Sequence, residues 1–519
     1  MKSLYTILLF SIFNFQFSIS QAQSVRVFSK TGILKGTYST VTAALATTID
    51  GDSMILSAHT FKESRLKGNY SVVYQGTIAG ADTTIIDAMG NGSVFDRCLG
   101  KIRDVIVQGG KYIPPPGGSQ GMGIYNYDGF LHLTGSTIIR NNYGYGHGGC
   151  ILYDGIIDEN VKIYNNKTDR GVGGVYGGNT LFIKDNVKIY GNYGNFGSAI
   201  ALMGSNGNAA LKKKLDILGN ALISNNNCDS NSTIFFGDKG CMVTIENVTI
   251  INNKSKNNKA GAIFANLIPS SLPFDSIGVP NISIKNTRIY NPKLDGTRIP
   301  EIFLGYNGKP IKFHSEGCWW GNSDTTRLIV AEAGTDFTMP NWAVAKWYGL
   351  PFGTSGSQVR AQMQLNTGAA LPPNCFKGLE GKFTATAGSF PSPTTVINAG
   401  NLIASDYYYP ASGPFAITAS VDADTFRTNN KGALGIKEPG YTSVKVFPNP
   451  ATDELHISNL PAGITLHIFD ASGRIVLQRG YLDAQPELVI PVADWPAGVY
   501  TINLYNQQDQ LGTARFVKR

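Results

Sequence analysis

Charge is scarce in this chain. Only 15% of its 519 residues are Asp, Glu, Lys or Arg, a poor supply for solvating exposed helices, and that scarcity favours strands and turns. The 44 Lys and Arg outnumber the 36 Asp and Glu, but the excess is spread out. Its densest run, Lys212 to Lys214, has no interleaved aromatics, so no nucleic-acid partner is expected. Anionic polysaccharide or lipopolysaccharide fits the same balance. Long apolar runs are missing too: beyond residue 22 none approaches the ~20 residues of a membrane helix, and no transmembrane segment is expected. Cysteine is sparse, six residues without a Cys-x-x-Cys, which argues against a zinc or redox motif. Cys228 and Cys241 flank one predicted strand and are the first choice for a disulfide, while Cys150 suits a small buried apolar site. The pairing stays open.

What the chain does have is 60 Gly, 24 Tyr and 26 Phe, a composition for an all-β protein. Its length exceeds what one core serves and implies two to four domains. Residues 1–22 read as a signal peptide: Lys2, an apolar stretch from Leu4 to Phe17, and Ser20-Gln21-Ala22 as the cleavage site. The expectation is export through the periplasm with the leader removed.

The centre of the chain repeats. Polar, small, x, Ile, x, Asn or Gly, Asn recurs around Ile139, Ile163, Ile189, Ile223, Ile250 and Ile289, at spacings of 24, 26, 34, 27 and 39 residues. The two long intervals hold insertions, Ser205 to Lys214 and Ile268 to Pro280. Alternation puts the Ile and its β-branched or small neighbour on one face and Lys162, Lys188 and Arg288 on the other. Two further short strands recur in each unit, around Leu131, Leu181, Leu215, Val243 and Ile282, and around Cys150, Val175, Ala199, Thr233 and Ala262. One unit cannot bury its apolar residues alone, but units stacked ~4.8 Å apart close a continuous core, and the asparagines suit tight turns that hydrogen-bond along the stack.

With Gly-Ala-Ile-like strands alternating with Ile-x-Asn-Asn turns, the chain resembles the right-handed parallel β-helix family of bacterial surface proteins and polysaccharide-active enzymes. Residues 23–350 are assigned to it. Thr40 to Thr48 predicts a short helix capping the first rung, and Cys318-Trp319-Trp320-Gly321-Asn322 resembles the tryptophan-glycine closure that plugs the last. Alternation in Lys382 to Thr386 and Phe415 to Val421 predicts an immunoglobulin-like β-sandwich over 355–428, followed by a polar linker, 429–443.

The C-terminal 444–519 resembles a type IX secretion sorting domain, a small β-sandwich. Pro448-Asn449-Pro450 fixes an opening turn, Asp470 to Gly473 with Arg474 a hairpin, Gly498 and Tyr500 a bend into the last strand, and Lys518-Arg519 a basic end. The resemblance implies a host of the Bacteroidetes type, the type IX machinery as partner, and an extracellular or outer-membrane-surface destination.

Three features bear on activity. Gly146-His147-Gly148 resembles one motif of polygalacturonases, whose companion motifs are absent. Tyr127-Asp128-Gly129 and Tyr153-Asp154-Gly155, with Asn179 in the next repeat, share a column, so stacking predicts two carboxylates ~5 Å apart. Such a pair suits Ca²⁺ or acid–nucleophile work on a glycoside, with Arg140 or Arg170 as a basic partner; as Asp-Gly turns, the same residues have no chemistry. Tyr164, Tyr190 and Tyr290 share an outward column that predicts a strip for sugar rings. The preferred expectation is a non-catalytic glycan- or surface-binding, adhesive protein without a cofactor. The alternative is a polysaccharide lyase or glycoside hydrolase on pectin-like or other acidic polysaccharide, with a groove at Asp128 and Asp154 walled by the insertions at 110–121 and 205–214.

Overall fold

The computed structural model describes residues 23–114, 122–203, 213–230, 232–237, 241–256, 260–266, 279–292, 299–305, 311–323, 325, 328–333, 335–348, 357–407, 415–430, 445–460, 463–471, 474–481, 485–506 and 509–519. The signal peptide, most of the three insertions, most of the linker and Gly473 lie outside the described residues. Those described are all-β apart from one five-residue helix. Two compact units divide the chain, residues 1–429 and 430–519.

In the first unit the repeated strands pair in parallel, each unit on the next. Ile139 stands opposite Ile163, then Ile189, Ile223, Ile250 and Ile289, and the column continues upstream through Val107, Ile86 and Phe61. Every member is fully buried. These strands form a nine-stranded parallel sheet, while the other two strands of each repeat enter a 20-stranded sheet. A third parallel sheet, of five two-residue strands such as Tyr143–Gly144 and Lys167–Thr168, follows the asparagine turns. It is too short for alternation to reveal.

The turns explain the Asn-Asn pairs. Asn141, Asn165, Asn225 and Asn252 have φ between 54° and 56°, and Gly191 fills the same position at 64°, a left-handed backbone that Asn and Gly tolerate best. The second asparagine points inward and is buried. Asn142 donates from Nδ2 to Asn166 Oδ1 at 2.9 Å, and the relay passes through Asn192, Asn226 and Asn253 to Asn291. Asn291 donates from its backbone N and Nδ2 to the two carboxylate oxygens of Glu301, at 2.7 and 2.8 Å.

The predicted helix forms at Val41–Leu45, with Thr40 accepting from Ala43 N and Val41, Ala44 and Leu45 buried. Glu63 accepts from the backbone N of Val41 and Thr42 at 2.7 and 2.8 Å, satisfying helix-end donors. At the other end the two tryptophans separate. Trp320 joins the core of the stacked strands, and Trp319 joins a second core with Phe383, Ile403, Tyr407 and Ile417, enclosed by antiparallel strands. Strand Asp336–Tyr348 serves both: its first half pairs in parallel with Lys312–Cys318 and its second half antiparallel with Ser357–Leu365. Arg288 was expected to face water. Instead it is buried against Asp422, donating from Nε at 3.0 Å in a two-pronged ion pair, because the antiparallel strands cover that stretch of its column.

The second unit has its own core, including Leu455, Ile468, Tyr500, Ile502 and Phe516, between a three-stranded and a four-stranded antiparallel sheet. Asn449 Oδ1 accepts from Val517 N at 2.9 Å, tying the Pro-Asn-Pro turn to the last strand. Asp470 accepts from Arg474 N and Nε at 3.1 and 3.0 Å, and Tyr500 donates to Pro496 O at 2.8 Å. The expected Cys228–Cys241 disulfide does not form: Cys241 lies in the main core, while Cys228 lies outside that core beside Asn195 O. All six cysteines are buried.

Two outcomes follow from this packing. Asn192→Ala orphans buried donors and acceptors in two neighbouring repeats and should cost about 3 kcal/mol in denaturant unfolding, whereas Asn165→Gly should change stability by less than about 1 kcal/mol. Maleimide labelling of the native chain should modify none of the six thiols counted in the sequence, and denaturation should expose them all.

Candidate tyrosine-row site

Stacking turns a residue that recurs once per repeat into a row along the sheet. On strands Ile124–Thr134 and Cys150–Ile157, the ring centroids of Tyr125 and Tyr127 lie 4.6 Å apart, and those of Tyr127 and Tyr153 5.5 Å apart. A Cβ on Gly178 in the next repeat would stand 2.5 Å from a ring carbon of Tyr153, so glycine is what lets that ring lie across the following strand. Tyr127 is 37% exposed. Desolvation, with Tyr125 and Tyr153 alongside, pushes its phenol up to about 12, so that ring is uncharged at neutral pH.

Polar groups flank the rings. Asp128 pairs with Arg97 at 2.9 Å. Asp154 accepts from Asn179 Nδ2 at 3.2 Å and from Thr180 N at 3.1 Å. The two aspartates do not stand directly opposite each other in the register: the pairing is irregular between Asn126 and Phe130, which sets Asp154 opposite Phe130 rather than Asp128. Asp128 is held by the preceding repeat and Asp154 by the following one. Among the described residues no group of three or more His, Cys, Asp or Glu comes together to hold a metal ion.

His147 occupies a different setting from the one its Gly-His-Gly context suggested. Its ring centroid lies 4.5 Å from that of Tyr176, Nδ1 is sealed from solvent without a hydrogen-bond partner, and burial lowers the imidazole to about 4. A proton-transfer group working at neutral pH needs a pKa nearer 7. Arg170 packs over the Tyr145 ring at 4.5 Å, and Arg140 donates to Gln108 Oε1 and Tyr164 OH at 2.8 and 3.0 Å.

A second row is shorter than expected. Tyr164 and Tyr190 stack at 4.8 Å with 9° between their planes, but Ser224 and Ile251 separate them from Tyr290 in the same column. A third column went unread in the sequence: Phe235, Phe264 and Phe303 stand opposite one another, with centroids 6.1 and 4.8 Å apart. Phe235 and Phe264 are buried although they sit outside the main core. The signal was present as Ile-Phe pairs at 234, 263 and 302.

Fold and site define an all-β chain with long parallel sheets and an aromatic outer row. Residues 445–519 match the secretion system C-terminal sorting domain. The protein is thus exported by the type IX route to the cell surface or beyond. No helix among the described residues is long and apolar enough to cross a membrane. No curated protein matches the chain. Solved structures with partial likeness include the BSP domain of a biofilm-associated protein, at 12% identity over 34% of this chain and 29% of that one, TM-score 0.14. PorZ of Porphyromonas gingivalis, a surface component of its type IX secretion system, is 16% identical over 34% of this chain and 23% of its own, TM-score 0.14. The 47-kilodalton lipoprotein Tp47 of Treponema pallidum is 11% identical over 36% of this chain and 54% of its own, TM-score 0.16. The chain spans less than a third of the first two, and scores this low carry no argument about fold or function.

His147 supplies a pH test. Its folded pKa, about 4, lies below the ~6.5 of an unfolded histidine, so acidification through that window protonates the unfolded chain first and lowers stability by up to ~3 kcal/mol. Denaturant unfolding at pH 7 and 4.5 should show a shallower pH dependence for His147→Gln than for the parent. Equal slopes would contradict the burial of the ring.

Proposed function

We propose that residues 23–350 form a right-handed parallel β-helix that binds a glycan chain at the cell surface without cleaving it. The carrying observation is the tyrosine row of Tyr125, Tyr127 and Tyr153, with Asp128, Asp154 and Asn179 at its edge. Uncharged rings offer flat apolar faces to sugar rings at little entropic cost, and the carboxylate and amide oxygens accept from hydroxyls. Tyr125 and Tyr127 lie along one strand and Tyr153 on the next, so the patch spans two repeats and suits two or more neighbouring sugar units. Tyr164 and Tyr190 offer a second, shorter platform.

The same geometry favours binding over cleavage. An acid–nucleophile pair requires two carboxylates facing one bond, and here each is drawn to a different neighbour. In the domain division we propose, the capped β-helix is followed by an immunoglobulin-like module at 355–428, the linker 429–443, and the sorting domain from 444. The parallel register of the Ile column supports the first assignment, and the core around Trp319 and Phe383 the second. Export by the type IX route supports a partner outside the cell, either a polysaccharide or the sugar chains of lipopolysaccharide.

Glycan-array binding tests the reading. Tyr127→Ala and Tyr153→Ala should each weaken binding by about tenfold or more, the loss of one stacked ring and its burial. Incubation with pectins and other acidic polysaccharides should release neither reducing ends nor unsaturated products. Product release that disappears in Asp154→Ala would instead establish the lyase or hydrolase reading.

A further inference from the structure

A cleft of about 450 Å³ opens where the last repeats meet the antiparallel strands. The repeats contribute Asn252 and Tyr290, the antiparallel strands Glu380, Lys382 and Ser420, and the Arg288–Asp422 ion pair lines it as well. Its size falls in the roughly 300–1,000 Å³ range of small-ligand sites.

The walls are held in place. Asp422 accepts from Arg288 and also from Trp319 Nε1 at 2.8 Å, and the ion pair is nine-tenths buried, with side-chain exposures of 10% and 8%. A charge pair this well enclosed resists separation, because removing either partner strands the other. Tyr290 is fixed from one side: a Cβ on Gly321, which has φ +76°, would stand 2.1 Å from its ring. Asn252 is anchored by its backbone N, which donates to Tyr290 O at 3.0 Å.

The lining charges cancel. Arg288 is neutralised by Asp422, and Glu380 and Lys382 project from alternate, exposed positions of strand Glu380–Ala385. Neither a phosphate nor a cation gains net attraction there. Lys382 donates, Glu380 accepts, Asn252 and Ser420 do both, and Tyr290 adds a ring. That set matches a compound with many hydroxyls, no charge and an apolar face.

We infer that this cleft is a second binding site, one that takes an uncharged sugar unit, separate from the tyrosine row and independent of it. Its position across the two cores means that occupancy also braces their junction.

The test is calorimetric titration of the full chain with glucose, galactose, mannose, N-acetylglucosamine and galacturonic acid, with thermal melts alongside. At least one uncharged sugar should bind and raise the melting temperature, and galacturonic acid should bind no better. Lys382→Met and Glu380→Gln, at exposed positions where misfolding is not expected, should each weaken binding at least tenfold, while Tyr127→Ala should leave it unchanged. Binding of none of the four uncharged sugars, or binding indifferent to both cleft variants, overturns the inference. Loss in Tyr127→Ala alone would assign the sugar to the tyrosine row and likewise overturn it.

Discussion

The first unit depends on a line of buried side-chain amides. From Asn142 to Asn291 each amide donates to the oxygen of the next, and each oxygen also accepts a backbone N–H from the repeat before. Five of the six also donate to the isoleucine carbonyl one repeat back, beginning with Asn166 to Ile139 O. Buried amides are costly when unpaired and cooperative when aligned. The relay is polar in one direction, and its two ends are closed by different means. Gly110 N donates to the first oxygen at 2.9 Å, and the Glu301 carboxylate, 2% exposed, receives the last donors. An acid there complements six amide dipoles pointing the same way. The isoleucine column supplies burial and rules out a one-residue slip, which would turn it to the other face. The asparagines forbid slippage, because a shifted repeat would leave its amides without partners.

A stack of this kind has open ends, and the two are closed differently. The N-terminal end has a helix held by a carboxylate. At the C-terminal end the stack continues into the antiparallel strands through one shared strand, two adjacent tryptophans assigned to different cores, and an ion pair. Covering an edge with structure that itself needs a core protects both from edge pairing. It also explains why Arg288 departs from the exposed pattern of Lys162 and Lys188.

Periodicity made the inner architecture legible. The isoleucine column, the asparagine relay, the cap helix and the sorting-domain turns could all be read because each repeats or carries its own turn chemistry. The outer surface was legible only in part, because what lies outside a strand depends on what later covers it. Local alternation could not show that Asp422, 134 residues away, would bury Arg288. Register inside a bent strand is equally hidden. Tyr127-Asp128-Gly129 and Tyr153-Asp154-Gly155 are aligned in sequence, yet the irregularity before Phe130 sets Asp154 opposite Phe130 and leaves Asp128 outside the paired register. Tyr164, Tyr190 and Tyr290 share one column, but intervening Ser224 and Ile251 break the strip.

That displacement bears on what the surface does. Catalysis by paired carboxylates needs a fixed separation across one bond, and a small slip between repeats abolishes it. Binding along a row tolerates the same slip, because ring faces are broad and a polymer can settle into several registers. The backbone at Gly178 leaves room for the Tyr153 ring, which a side chain there would displace. Stacked repeats therefore give extended recognition almost without further specification: one aromatic in each of two neighbouring copies already makes a track.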